Sequence, residues 1–212
     1  MTFNKKTDDV EIISNETVFD KYFQMTEYHL RHQTFAGGWS EVMSREVFQR
    51  GAVVAVLPYD AKRDRLVLIE QFRVGAYAAC QSGPLYNQDS SPWLIECVAG
   101  VIEEGEPPEE VARRELKEEA NCDTLDIFHV NTWHASPGAI NEPLALYCAN
   151  VDSSTAEGIH GLDHEYEDIR VFSVNPETAL DWLNDGSIHN ATTIIALQWF
   201  ALNHDKLRKR WG

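Results

Sequence analysis

Hydrophobic and polar positions alternate through the first fifty residues. "VEIISNETVF", "YFQMTEYHLRHQ" and "WSEVMSREVFQR" are short segments of this kind, divided by polar residues or by Gly37 and Gly38, and the pattern is that of antiparallel strands. They predict a small sheet ahead of the main domain. "GAVVAVLPYD" and "RLVLIEQFRV" are instead continuous apolar, β-branched runs around "DAKRD", which predicts a hairpin buried on both faces. From Tyr77 to Trp93 the composition turns to Gly, Pro, Ser and Asn, and the segment reads as a surface loop. "WLIECVAG" resumes a strand, and "PPEEVARRELKEEA" takes up a helical period with Pro107 and Pro108 suited to its first turn. "TLDIFHVNTWHA" and "PLALYCANV" predict two strands, "GIHGLDHEYED" a long polar loop and "IRVFSV" another strand. "PETALDWLNDG", closing at Gly186, and "NATTIIALQWFALNHDKLRK", basic in its last turn, predict two final helices.

At 212 residues the chain is long for one average domain and short for two. The expected division is an N-terminal sheet over residues 1–50 and a larger domain over residues 51–212. A formal charge of -16 repels phosphate backbones and anionic lipid, which argues against nucleic-acid and membrane partners. An anionic substrate therefore needs a local cation, from arginines or a metal ion. Cys80, Cys97, Cys122 and Cys148 form no CxxC pair, so they read as reduced thiols of a cytoplasmic protein rather than a zinc cluster. Neither a secretory h-region nor an 18-residue apolar run is found, so secretion and membrane spanning are not expected.

The stretch Ala99 to Cys122 holds eight glutamates in 24 residues. At about 100° per residue, Glu115, Glu118 and Glu119 share one side of the helix, beside the apolar stripe of Ala112, Leu116 and Ala120. Like charges so spaced repel by about 0.2 to 0.5 kcal/mol per pair. Glu109 with Arg113, and Glu110 with Arg114, are expected i to i+4 ion pairs, so these two glutamates belong to an ordinary solvated face. The three carboxylates lack three adjacent cations, and a hard divalent ion is the partner that carboxylate oxygens suit. Arg114, one turn before Glu118, would orient a ligand carboxylate.

Gly100, five residues, Glu106, seven residues and then "RELKEEAN" from Arg114 to Asn121 resemble the Nudix box, Gly-x5-Glu-x7-Arg-Glu-U-x-Glu-Glu-x-Gly-U, with U an aliphatic residue. Two positions depart from it. Asn121 stands where Gly ends the helix, and Cys122 replaces the last aliphatic residue; Asn is the next best left-handed C-cap, so the geometry can survive. The resemblance implies an α+β fold, an α/β/α sandwich with a mixed sheet, and divalent-metal-dependent hydrolysis of a nucleoside diphosphate linked to another moiety. Glu115 and Glu119 would be the main metal ligands, joined by Glu118 and the Ala99 carbonyl, with magnesium or manganese as the ion. Glu106 would be structural or would support the metal ligands from behind.

Pro137 lies fifteen residues after Cys122, similar to the marker of the ADP-ribose pyrophosphatase subfamily. "SREVFQRG", "VLIEQFR", "GIHGLDHEYEDIRV" and "IALQW" extend the likeness over nearly the whole chain. It implies hydrolysis of ADP-ribose to AMP and ribose 5-phosphate by a homodimer that exchanges its N-terminal sheets. Arg45, Glu46, Arg50 and Arg73 would contact substrate, with Tyr22 and Phe23 near the adenine. Val101, Ser136, Pro137, Gly138 and Glu142 would line the rest of the pocket. Glu165 would be the general base and Glu167 would join the metal cluster as its loop closes; His134, His160 and His164 are alternative bases.

Tyr22, Phe23 and Val101 read equally well as plain core, and Arg45 and Arg50 as surface ion-pair partners. Arg73 is different, because it ends an apolar strand where a cation has little structural reason to be. The competing functions are a Nudix enzyme acting on a nucleotide sugar, NADH or a diadenosine polyphosphate, and a non-catalytic ADP-ribose sensor.

Overall fold

The computed structural model describes residues 5–212 except Gln88, Asp163 and Glu165, and only the backbone of Ser82. The chain divides into two compact units, one of Met1–Ala52 with Trp133–Leu144 and the other of Val53–Thr132 with Ala145–Gly212. In the first unit, β1 (Val10–Asp20), β2 (Gln24–His32) and β3 (Met43–Gln49) form a three-stranded antiparallel sheet. Every residue of β1 is exposed, although Ile12, Ile13, Val18 and Phe19 lie on it. A three-stranded sheet leaves a large apolar surface uncovered in this way.

The second unit is built on a larger mixed sheet in the order β10-β11-β5-β4-β9-β8. Its strands are β4 (Val53–Asp60), β5 (Arg65–Phe72), β6 (Trp93–Glu96), β7 (Val98–Val101), β8 (Thr124–His134), β9 (Pro143–Val151), β10 (Gly158–His160) and β11 (Ile169–Val174). β4 is buried throughout, as its continuous apolar run requires. The hairpin of β4 and β5 zips only beside its turn, at Tyr59 with Leu66 and Asp60 with Arg65. Beyond those pairs β6 takes residues Ile69 to Phe72 of β5, and β7 takes Val53 to Val56 of β4. "WLIECVAG" is therefore two strands with separate partners, broken at Cys97, rather than the single strand its apolar pattern predicts.

Alternation along the strands sorts the helices to two faces. Val54, Val56, Val67, Ile69, Ile169 and Val171 pack with Val111, Ala112, Leu116 and Ala120 of α2 (Pro108–Ala120). The intervening Tyr59 meets Phe200 of α4 (Ala191–Trp211), and Phe172 meets Trp182 of α3 (Pro176–Asp185). The result is the expected α/β/α arrangement. Asn175 and Asn190 cap α3 and α4 by accepting from the Thr178 and Thr193 amides, and Gly186 ends α3 at φ 84°.

Two further expectations fail locally. Residues Val74–Ser82 form a helix, α1, not part of a loop, and "GIHGLDHEYED" begins with β10. α1 has Ala at 76, 78 and 79, strong helix formers, but neither a side-chain N-cap nor an amphipathic face to announce it.

The sheet rim depends on one buried acid. Asp60 accepts from the Ser153 amide and hydroxyl and from Arg63 at 2.8 to 2.9 Å. Burial pushes its carboxyl up, but the Ser153 and Arg63 hydrogen bonds overcome this and hold it at about 2. Because the folded pKa lies below the ordinary 3.8, this stabilisation is present above that value and is lost as pH falls toward 2. Asp60→Ala is expected to cost about 2–4 kcal/mol at pH 7 through the orphaned donors. The wild-type and variant denaturation curves should converge near pH 2; a pH-independent gap would rule the account out.

Candidate active site

α2 sets out the site. Pro107 and Pro108 start it, and the fully buried Val111, Ala112, Leu116 and Ala120 fix its roll against the sheet. The carboxylates then fall in order of depth: Glu119 is 4% exposed, the Glu115 side chain 12% and that of Glu118 31%. Asn121 ends the helix in the left-handed region at φ 49°, and the Asn121 and Cys122 amides return to the Lys117 and Leu116 carbonyls. The Gly-to-Asn departure thus keeps the cap.

β7 supplies the floor. The Ala99 amide donates to Glu119 Oε2 at 3.0 Å. Gly100 lies so close to α2 that a Cβ there would stand 1.9 Å from Glu115 Oε1 and 2.4 Å from Glu115 Cγ. The glycine opening the motif is a space requirement for Glu115, a reason that spacing in the sequence does not disclose.

Arg114 does not pair with Glu110 as expected. It donates to Glu115 at 2.8 Å, Glu118 at 3.0 Å and Glu106 at 3.4 Å, and so ties three acids of the motif to one guanidinium. Arg113 does pair with Glu109, at 2.8 Å.

Burial raises the Glu115 carboxyl to about 7; Arg114 opposes this, and the Glu118 and Glu167 charges add to it. Burial raises Glu119 to about 8, opposed by the Ala99 amide and Arg73 and increased by the Glu115 and Glu167 charges. These acids are poorly solvated and repel one another. Among the described residues no three acidic, His or Cys side chains already enclose one point, because Glu115 and Glu118 turn to Arg114 and Glu119 to the Ala99 amide. Hard oxygen donors, crowded and under-compensated, nevertheless fit a divalent cation, whose charge offsets both penalties.

Glu167 sits in a tight loop. It accepts from the Leu162 amide at 3.0 Å, and a Cβ on Gly161, at φ 107°, would approach Glu167 Cβ to 2.6 Å. The expected general base, Glu165, lies outside the described residues. Of the alternatives, His160 is bonded to the Glu157 carbonyl at 3.1 Å.

Arg73 has the structural partner that its sequence context hid. Its Nε and Nη2 both donate to Glu96 Oε2, at 2.9 and 2.7 Å. Glu96 is 4% exposed, and its other oxygen accepts from Asn190 Nδ2 at 2.7 Å.

In the first unit, Tyr22 and Phe23 are not core: Tyr22 is 90% exposed, and Phe23 packs edge-on against Phe48. Arg50 lies over the Phe23 ring at 5.8 Å and pairs with Glu142 at 3.6 Å. Ser136, Pro137 and Gly138 form a turn in which the Ala139 and Ile140 amides return to the Ser136 carbonyl. Asn141, which no sequence signal singled out, joins turn and strand by accepting from the Arg50 amide at 2.7 Å. Arg45 Nη1 donates to the Ser44 carbonyl, and Glu46 stands opposite Glu27 in the β2–β3 register. Val101, in the second unit, ends β7 and is exposed.

The model of the NUDIX domain matches residues 49–193. The ADP-ribose pyrophosphatase of Escherichia coli (strain K12) is 44% identical over 212 residues, covering 100% of this chain and 96% of that protein. That of Haemophilus influenzae is 42% identical over 205 residues, covering 96% and 91%. The GDP-mannose pyrophosphatase of Escherichia coli O1:K1 / APEC is 29% identical over 203 residues, covering 93% and 98%. A solved structure described as an ADP compounds hydrolase superposes with a TM-score of 0.66 at 22% identity, covering 97% of this chain and 98% of that one. With the motif, its buried acids and the fold in agreement, the chain belongs to the NUDIX domain family.

Proposed function

We propose that this protein hydrolyses the pyrophosphate bond of ADP-ribose, giving AMP and ribose 5-phosphate, with magnesium as its divalent cation and manganese as the alternative. The observation that carries the reading is the buried, mutually repelling pair Glu115 and Glu119 beside the Ala99 amide. It stands in a chain 44% identical from end to end to ADP-ribose pyrophosphatases.

Glu115, Glu118, Glu119, Glu167 and the Ala99 carbonyl would hold the cation, which when bound neutralises charge on the diphosphate and favours ionisation of water. Arg73 keeps the diphosphate oriented. Glu165 takes the proton from the attacking water, and closure of its loop excludes bulk solvent. Arg45, Glu46, Arg50, Val101, Ser136, Pro137, Gly138 and Glu142 bind the rest of the substrate, with Tyr22 and Phe23 of a second copy near the adenine.

The uncovered apolar surface of β1 supports that second copy: the N-terminal sheet is the element exchanged in a homodimer. The protein works in the cytoplasm, in keeping with four free cysteines. No helix among the described residues is long and apolar enough to cross a membrane.

One experiment tests substrate, metal and assembly together. Protein of about 48 kDa by light scattering, twice the 24.1 kDa chain, is incubated with magnesium and ADP-ribose, GDP-mannose, NADH or a diadenosine polyphosphate. Nucleoside monophosphate release, AMP from the adenine compounds and GMP from GDP-mannose, should be fastest from ADP-ribose and vanish in EDTA. Faster turnover of another compound would replace the substrate, metal-independent release would end the metal reading, and a 24 kDa active species would end the exchanged dimer.

A further inference from the structure

A carboxylate as buried as Glu96 calls for a reason. It sits on β6 opposite Ile69, where an apolar side chain of similar volume would be as stable or more so, since desolvating a charge pair costs about what the pairing returns. Four side-chain donors meet its two oxygens: Gln71 Nε2 at 3.4 Å, Arg73 Nε at 2.9 Å, Arg73 Nη2 at 2.7 Å and Asn190 Nδ2 at 2.7 Å. Asn190 is itself fixed as the cap of α4, accepting from the Thr193 amide and hydroxyl. The acid is thus anchored to α4 on one side and grips a guanidinium on the other.

The geometry of that grip leaves Arg73 usable. Glu96 takes only part of the guanidinium's donor set, and the Arg73 side chain remains 42% exposed. The backbone is clamped as well. The Arg73 amide donates to the Pro92 carbonyl at 2.9 Å, and its carbonyl accepts from the Tyr77 amide at 3.0 Å. Pro92, which ends the segment without a role on sequence grounds, is thereby tied to the residue before α1. Arg73 also acts electrostatically on Glu119 of the acidic face.

We infer that Glu96 is a positioning residue, holding the Arg73 guanidinium in one orientation so that its free N–H groups meet the substrate diphosphate, with Asn190 fixing Glu96 in turn. This rests on the reading of Arg73 as a substrate ligand. A fixed fork recognises a diphosphate at a smaller entropic cost than a mobile one. Because both ground state and transition state carry that diphosphate, loss of orientation weakens binding more than chemistry.

The test compares Arg73→Ala, Glu96→Gln and the double variant in steady-state hydrolysis of ADP-ribose with magnesium. Glu96→Gln should raise KM about tenfold with kcat within about threefold. The double variant should match Arg73→Ala within about twofold in KM, since Glu96 acts only through Arg73. A Glu96→Gln protein with a lowered melting temperature but unchanged KM would make Glu96 purely structural and overturn the inference. Unchanged KM in Arg73→Ala would instead remove Arg73 from the substrate, a separate failure that overturns the inference by another route. Additive effects in the double variant would also overturn it. If Glu96→Gln does not fold, Glu96→Asp keeps the charge with a shorter reach. It should give a KM between wild type and Arg73→Ala, and a wild-type KM there would count against positioning.

Discussion

Glu119→Gln is expected to lower ADP-ribose turnover about a thousandfold, or about 4 kcal/mol in the barrier. The amide can still accept from the Ala99 amide, as Glu119 does at 3.0 Å, and it has nearly the same volume, so fold and packing should survive. What it loses is a charged oxygen for the cation. The variant also has a stability signature that misfolding could not mimic. In the folded protein without metal, burial raises Glu119 to about 8 from the ordinary 4.5. A raised acid binds its proton more tightly folded than unfolded, so stability is full below 4.5 and declines as pH rises toward 8. In EDTA, Glu119→Gln should therefore melt with wild type at pH 4.5 and above it at pH 8. Adding magnesium should raise the wild-type melting temperature and barely move the variant's. Turnover within tenfold of wild type, or an equal magnesium response, would take Glu119 out of the metal face.

The acidic motif was legible because its spacing is local: Glu115, Glu118 and Glu119 lie within five residues on one helix, and helical geometry alone brings them together. The strand pattern was legible for the same reason, since alternation and continuous apolar runs reflect how many faces of a strand are buried. Features that rest on distant partners were not. Arg73 seemed to lack a structural role because Glu96, 23 residues away, reaches it only through the β5–β6 pairing. Arg114 had two acids at a spacing of four, Glu110 and Glu118, and only the tertiary position of Glu106 and the depth of Glu115 decide between them. The break at Cys97 is invisible in "WLIECVAG" because the two halves read as one apolar run, although each pairs with a different strand.

Gly100→Ala is the sharper test, since it adds one methyl group and replaces no carboxylate. The new Cβ would fall 1.9 Å from Glu115 Oε1 and 2.1 Å from Glu115 Cδ. Backbone paired to β4 cannot easily retreat, so the flexible Glu115 side chain must swing away. The stability cost should be modest, about 1–2 kcal/mol, because a side chain moves rather than a strand. The catalytic cost should not be modest. A ligand carboxylate displaced by an ångström or more loses its place in the site, and a fall in kcat of about a hundredfold is expected. Glu115→Gln supplies the decisive comparison: if Gly100 matters only by making room for Glu115, the double variant Gly100→Ala with Glu115→Gln should be no slower than Glu115→Gln alone. Near wild-type activity in Gly100→Ala would show that Glu115 reaches the cation from another rotamer. A double variant far slower than either parent would show that the glycine serves the reaction by a route other than this carboxylate.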